Sequence, residues 1–406
     1  MNDLNVSDEC RLLETLQSTP AIFMEIGGSG ADELSLQRRL RDRYDADVVR
    51  AALTTAELRR RAAGKFSLAS RMWFTRRGLE QSTGEAIARH KAERFPTGEL
   101  VHDLCCGIGG DTIALAGRGP VRAVDRDCAN TMRAALNAAV YNVAGSLDVV
   151  CGDVAGENLD DCLVHLDPDR RIGRERRARR VEQYQPDLTW IREMMQRARG
   201  GAVKLSPAAD FASAFPDREV ELVSLHGECR EATVWFGALA GLAARRASVL
   251  PAGETLLALQ NPAPAEISAP GDFLFDPDPA VVRAGLIDEL SAKLGVRRLD
   301  ASEEYLTGNE PVASPFVQTF RIESVHAFDT KGLRRVVRQS EIGELEIKAR
   351  HTRVDVERLR RQLRPDGALR RTLVIARFEG KTRAIIAERL TNTGKSAALN
   401  RSGRYS

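Results

Sequence analysis

The stretch Asp103-Leu104-Cys105-Cys106-Gly107-Ile108-Gly109-Gly110-Asp111 decides the fold. It lies between a short apolar run, Leu100–Leu104, and a helical pattern over Asp111–Ala116, so it reads as the loop that leads a strand into a helix. Glycines at such a junction let a ligand approach the backbone, and the helix start offers free N–H groups to an anionic group. A dinucleotide-binding loop would carry a third glycine where Thr112 stands, so that fingerprint is broken. What remains is an acid, three residues, and Gly-x-Gly-Gly.

Outward from this loop, short apolar runs alternate with helical segments. Strands are expected at Val121–Val124, Leu147–Cys151, Cys162–Leu166 and Ala202–Leu205, and helices at Ala129–Tyr141 and Leu188–Ala198. This alternation predicts an α/β fold, a doubly wound parallel sheet covered by helices. Two further strands, Val220–Leu225 and Ala232–Phe236, follow each other without a helix and suggest an antiparallel edge. Upstream, Glu33–Ala63 is amphipathic and helical, and Thr83–Phe95 is a second helix. Downstream, six prolines from Pro251 to Pro279 mark a linker or irregular subdomain. A helix at Val281–Lys293, a strand at Phe316–Ile322 and a small α+β unit from Lys331 to Leu390 complete the chain before a Gly/Ser/Asn-rich tail.

Acids close four successive strands: Asp103, Asp125, Asp153, and Asp167 followed by Pro168. In open α/β sheets ligands bind at this carboxyl edge, and an acid after the second strand can accept both ribose hydroxyls of an adenosine.

The acid-x-x-x-Gly-x-Gly-Gly loop resembles motif I of class I S-adenosylmethionine (SAM) methyltransferases. Further segments extend the likeness: Phe74-Thr75, Leu79-Glu80-Gln81-Ser82-Thr83, the run from His165 to Arg171, Lys204-Leu205-Ser206-Pro207, and Glu346 to Arg350. Together they resemble the bacterial class I SAM-dependent methyltransferases that carry a C-terminal THUMP-like domain, over most of the chain. Trp73-Phe74-Thr75 with the glycine loop also resembles trimethylguanosine synthase, an RNA cap enzyme. The resemblance implies a Rossmann-like seven-stranded sheet, SAM as cofactor and RNA as substrate. It places cofactor contacts at Asp103, Cys105, Gly107, Gly109, Gly110, Asp125, Asp153 and Asp167, with Thr75 and Gln81 closing over the cofactor. The expected organisation is a helical region over 1–78, the SAM-binding domain over 79–248, a linker with a small ferredoxin-like α+β subdomain over 249–325, a THUMP-like domain over 326–395 and a flexible tail over 396–406.

Methyl transfer is an in-line displacement that needs an aligned acceptor and a home for any released proton. Enzymes that methylate base amines often carry a second proline and an aromatic after the fourth-strand acid, but here the residues are Asp167-Pro168-Asp169-Arg170. Enzymes that methylate pyrimidine C5 attack with a cysteine near the fifth strand's end, where this chain has Ser206, a poor nucleophile without an adjacent base. Direct transfer to nitrogen or oxygen is therefore the expected reaction. Asp167, set by Pro168, is the candidate to orient or deprotonate the acceptor, and Lys204 is the candidate to hold a phosphate or substrate oxygen. A methyltransferase for protein or small molecules, and a non-catalytic SAM- and RNA-binding protein, are the alternatives.

Sixty basic and 57 acidic residues leave a net charge of only +3, but the charge is segregated. Residues 170–180 hold seven Arg and one Glu, residues 38–77 carry a net +8 and residues 331–383 a net +9. Such clusters suit phosphates, which makes Arg170, Arg171, Arg174, Lys348 and Arg350 the candidate substrate contacts and RNA the expected partner. Aromatics are 5% of the chain, so base stacking would fall to Tyr184 and Trp190. Seven scattered cysteines without a C-x-x-C pair suggest neither a disulfide framework nor a metal site. The first residues lack the basic and apolar regions of a signal peptide, and the longest apolar run is too short for a membrane span. These features predict a cytoplasmic enzyme with no membrane association.

Overall fold

A computed structural model describes residues 6–28, 33–170, 184–350, 352 and 354–391. The chain divides into two compact units, one formed by residues 1–219 with 232–242, the other by residues 220–231 with 243–406.

The first unit opens with helices α1 (Val6–Ser18), α2 (Ala21–Gly27), α3 (Glu33–Arg41) and α4 (Ala46–Ala62), then α5 (Arg76–Gln81) and α6 (Glu85–Ala92). The α/β part continues as β1 (Val101–Leu104), α7 (Gly110–Ala116), β2 (Val121–Asp125), α8 (Cys128–Val140), β3 (Leu147–Cys151) and β4 (Leu163–Leu166). Two short strands, β5 (Asp169–Arg170) and β6 (Tyr184–Gln185), pair with each other, followed by α9 (Leu188–Arg197), β7 (Gly200–Leu205) and α10 (Phe211–Ala214). After β8 (Glu219–Leu225), β9 (Glu228–Gly237) brings the chain back. The strands run in the order β9-β7-β4-β1-β2-β3. All neighbours here are parallel except β9, which lies antiparallel to β7 but is not the sheet edge that the sequence suggests.

Capping fixes the helix starts. Asp127 accepts from Ala129 N and Asn130 N at the head of α8, and Asp187 accepts from Trp190 N at the head of α9. The core lies between the sheet and its helices: Val101, Val121, Ala123, Leu163, Ala202 and Trp235 from the strands meet Ala92, Phe95, Leu115 and Ala134. A second cluster seats the N-terminal helices through Leu13, Leu16, Ile22, Val49 and Ala52 around Trp73, with Met132 and Leu136 of α8 packed against them.

In the second unit β8 pairs in parallel with β10 (Arg245–Leu250), which pairs antiparallel with β11 (Glu254–Leu257). Then come β12 (Phe273–Pro277), α11 (Pro279–Ala284), α12 (Ile287–Leu294), β13 (Arg297–Arg298), β14 (Leu306–Gly308), β15 (Val317–Ala327), α13 (Thr330–Gln339), β16 (Ile342–Ala349), α14 (Val356–Leu363), β17 (Leu369–Phe378) and β18 (Lys381–Arg389). Seven strands join in one sheet, β13-β14-β12-β15-β18-β17-β16, covered by the apolar faces of α13 and α14 through Leu333, Val337, Leu359 and Leu363. The single helix expected over Val281–Lys293 is two helices. Gly285 takes a left-handed φ of 73° and ends α11, a conformation that only glycine adopts at little cost.

Candidate active site

The glycine loop leaves β1 and enters α7 as its sequence predicts. Gly109 has φ 86° and stands directly before the helix. A Cβ there would lie 3.1 Å from Ala134 Cα, and one on Gly110 would lie 2.9 Å from the Thr83 carbonyl oxygen, so both glycines admit close packing behind the loop. A Cβ on Gly107 would meet nothing within 4 Å, which leaves that residue as the one facing open space. Asn137 of α8 supports the loop from below: its amide donates to Ile108 O at 2.9 Å and Trp73 O at 3.0 Å, and its oxygen accepts from Trp73 N at 2.7 Å. The Trp73-Phe74-Thr75 segment is thereby tied to the loop. Gly109→Ala is expected to destabilise the first unit by about 1–3 kcal/mol, read as a lower urea midpoint, because it combines a strained φ with a backbone collision.

Asp125 ends β2 with its carboxylate accepting from Gly107 N at 2.8 Å and Asp127 N at 2.9 Å. Burial raises its pKa above the ordinary value, offset in part by these two donors. Asp153 is exposed and accepts from Ala155 N at 2.9 Å, capping the short turn after β3. Asp103 faces inward, 1% exposed. One of its oxygens accepts from the Thr112 hydroxyl at 2.5 Å and the other lies 2.7 Å from His165 Nδ1.

At the end of β4, Asp167 is partly exposed beside Pro168, which is buried. Lys204 Nζ donates to Asp167 Oδ2 at 2.6 Å and to the Gln81 carbonyl at 3.2 Å. Burial drives the Asp167 carboxyl above its usual range, the Asp111 charge adds to that rise, and Lys204 opposes it. Thr75 caps α5 by accepting from Gly78 N at 2.8 Å. The Gln81 side chain accepts from Arg77 Nε at 3.0 Å, and Arg77 in turn grips both oxygens of Asp169 at 2.7 Å. Arg126 lies 3.5 Å from the same carboxylate. Cys105 sits among these acids with its thiol pushed well up by burial and by the charges of Asp125 and Asp167.

Behind the loop lies a buried network that the spacing of sequence motifs did not reveal. His165, opposite Asp103 in the β1–β4 register, places Nε2 3.8 Å from Asp111 Oδ2. Asp111 also accepts from the Thr83 hydroxyl at 2.6 Å and pairs with Lys91 at 3.1 Å. Burial would raise the Asp111 pKa, but Lys91, His165 and Lys204 together hold it well below its ordinary value. The only sequence signal was polarity itself: His165 and Lys91 are polar where strand and helix turn inward.

Other expectations change. Tyr184 is 2% exposed and its hydroxyl accepts from Ser206 N at 3.1 Å, so it cannot stack on a base; Trp190 on α9 is half-buried. Lys348 and Arg350 belong to the second unit, where both pair with Asp276, at 2.9 Å and 2.7 Å. Arg171 and Arg174 lie outside the described residues, and Arg170 is described only as part of β5. A disulfide joins Cys128 and Cys151, which corrects the expectation of none. Parallel pairing of β2 with β3 brings Cys151 level with Asp125, three residues before Cys128, a proximity that linear spacing conceals.

Comparison with known proteins places these features in a family. A model of RNA cap guanine-N2 methyltransferases matches residues 98–188, a THUMP domain-like model matches residues 317–389, and a domain of unknown function matches residues 21–62. Chains from two strains of Mycobacterium tuberculosis, CDC 1551 / Oshkosh and ATCC 25618 / H37Rv, are described as uncharacterized S-adenosylmethionine-dependent methyltransferases. Each is 36% identical over 337 residues, covering 80% of this chain and 91% of the relative. A crystal structure described as a methyltransferase from Porphyromonas gingivalis W83 shares the fold, with a TM-score of 0.71, 22% identity, and coverage of 86% of this chain and 92% of that one. The chain therefore belongs to the S-adenosylmethionine-dependent methyltransferases.

Proposed function

We propose that this methyltransferase acts on RNA, passing the methyl group directly to a nitrogen or oxygen without a covalent enzyme intermediate. The observation that carries the direct route is the Asp167–Lys204 pair at the carboxyl edge of the sheet, beside a cysteine whose thiol is pushed well up by burial and nearby carboxylates. A nucleophilic cysteine needs a lowered pKa or an adjacent base, and Cys105 has burial and carboxylates instead. Ser206 uses its hydroxyl oxygen to accept from Ala208 N at 3.3 Å.

SAM suits the residues present. Open space at Gly107 leaves backbone accessible to a ligand, and Asp125 supplies a carboxylate at the end of β2 for ribose hydroxyls. Asp153 stands at the neighbouring strand end for the adenine amino group. Gly109 and Gly110 act by allowing the loop to pack, and Asp103 by anchoring it from within. Thr75 and Gln81 serve through α5, whose last turn is held by Lys204 and Arg77. When bound, SAM supplies an electrophilic methyl group. Asp167 then orients the acceptor and takes its proton, its raised pKa bringing it closer to working pH. Lys204 fixes that carboxylate and offers positive charge to a substrate oxygen.

RNA is favoured by the matched cap-methyltransferase and THUMP-like models and by where unpaired charge lies. In the N-terminal basic segment, Arg43, Arg50, Arg61, Arg76 and Arg77 pair with acids, and Arg59 lies 4.3 Å from the Phe23 ring centroid. On α13 and α14, Arg334, Arg335, Arg338, Arg358 and Arg361 are exposed and have no acidic partner among the described residues, and the same holds for Arg38, Arg41, Arg60 and Arg71 of the N-terminal segment. Incubation with radiolabelled SAM is expected to label total RNA and not total protein; label in protein alone overturns the reading. RNA affinity should fall steeply with salt. Arg334→Glu with Arg338→Glu should weaken binding across sequences and flatten the salt slope by about 0.7–0.9 for each phosphate no longer neutralised. An unchanged slope counts against this surface.

A further inference from the structure

We infer that Cys128 and Cys151 form a reversible thiol–disulfide site that sets how tightly the adenosine end of SAM is held, an inference that rests on the roles given above to Asp125 and Asp153. The bond joins two residues 23 apart in sequence, with Cα atoms 5.0 Å apart. Cys128 is the first residue of α8, and Cys151 is the last residue of β3, level with Asp125. The two loops that carry the adenosine acids are therefore stapled at their bases.

The surrounding hydrogen bonds transmit this constraint. Asp125 holds Gly107 N and Asp127 N, Asp127 caps α8 immediately around Cys128, and Gly152 N donates to the Asp125 carbonyl at 2.9 Å. Asp153 follows Cys151 by two residues. With the bond closed, the strand ends and the glycine loop are ordered before a ligand arrives, so binding has less ordering to accomplish. With the bond open, the turn from Cys151 to Asp153 depends on hydrogen bonds, from Gly152 N to the Asp125 carbonyl and from Ala155 N to the Asp153 carboxylate.

Reactivity concentrates at this pair. Cys151 is exposed, so a thiol reaches it. Burial pushes up the thiols of all five free cysteines: Cys10, Cys105, Cys106, Cys162 and Cys229. They supply little thiolate to compete in exchange. The reductant is a small thiol or a dithiol. Its thiolate attacks Cys151 Sγ, the bond to Cys128 Sγ breaks, and Cys128 leaves as a thiolate that takes a proton. A second thiol attacks the mixed disulfide and frees Cys151, so two electrons and two protons enter the protein while two thiols become one disulfide.

The test uses the full chain, prepared oxidised and after dithiothreitol, with SAM affinity measured by calorimetry and thiols counted by alkylation in denaturant and mass. Five alkylated cysteines are expected before reduction and seven after, with SAM bound about tenfold more weakly by the reduced form. Cys128→Ser and Cys151→Ser should each show the weaker affinity and no response to dithiothreitol. Seven alkylated cysteines before reduction, or equal affinity of the two forms, overturns the inference while leaving the cofactor site standing. Absence of SAM binding in both forms overturns the site assignment and the inference with it.

Discussion

Asp167→Ala is expected to slow methyl transfer by about 10²–10⁴-fold while SAM affinity stays within a factor of about three. The two readouts separate because the carboxylate's side-chain partner is Lys204, whereas the glycine loop and Asp125 keep their hydrogen bonds without it. Lys204 retains its bond to the Gln81 carbonyl, which limits collapse of the α5 turn. Asp167→Asn divides orientation from proton transfer: it keeps an acceptor oxygen and cannot take a proton, so a variant as impaired as alanine identifies Asp167 as the base. The pH profile gives an independent check. Burial raises this carboxyl above its ordinary 3.8, so activity should climb with pH as Asp167 loses its proton, along a limb centred above 3.8. Wild-type turnover in Asp167→Ala, or an acid limb at or below 3.8, refutes the assignment.

The largest stability effect is expected at Lys91. It is 3% exposed and pairs at 3.1 Å with Asp111, itself 6% exposed. Lys91→Met strands a carboxylate in the interior and should cost the first unit about 3–5 kcal/mol in a urea titration. Lys91→Met combined with Asp111→Leu should recover part of that loss, since removing both charges also removes the desolvation penalty. The same network fixes a pH dependence. A carboxyl whose folded pKa is depressed contributes stability above its unfolded value, here 3.8, and loses it as pH falls through the folded value. In Lys91→Met the depression is smaller, so unfolding on acidification should begin at higher pH than in the wild type. An unshifted acid midpoint would mean that Lys91 does not hold Asp111 ionised.

The α/β order was legible because each segment obeyed one period: strands of buried residues such as Val101–Leu104 and Leu163–Leu166, and helices with capping acids such as Asp127. The C-terminal elements from α13 to β18 were equally readable, since Leu333, Val337, Leu359 and Leu363 fall on one helical stripe each. Reading failed where three-dimensional pairing overrides local pattern. β10 and β11 sit at the margin of the proline-rich stretch that read as a linker. The break in the helix expected over Val281–Lys293 is local instead: a glycine inside a helical pattern, Gly285, ends α11. Composition exposed the charge clusters but not which arginines were already neutralised. Lys348 and Arg350 read as substrate contacts, yet both face a buried aspartate. The disulfide and the Asp103–His165 contact depend on register between strands, which sequence distance does not encode.

The alternating membership of the two units bears on how the chain can be dissected. The path enters the second unit at Val220, returns to the first at Ala232 and leaves again at Ala243. No single cut therefore yields both units whole. Ending a fragment at Glu219 deprives the first unit of Trp235, while starting one at Ala243 deprives the second of β8, the parallel partner of β10. A fragment that keeps either unit whole therefore carries a segment of the other, so the two are truncated and engineered as one piece.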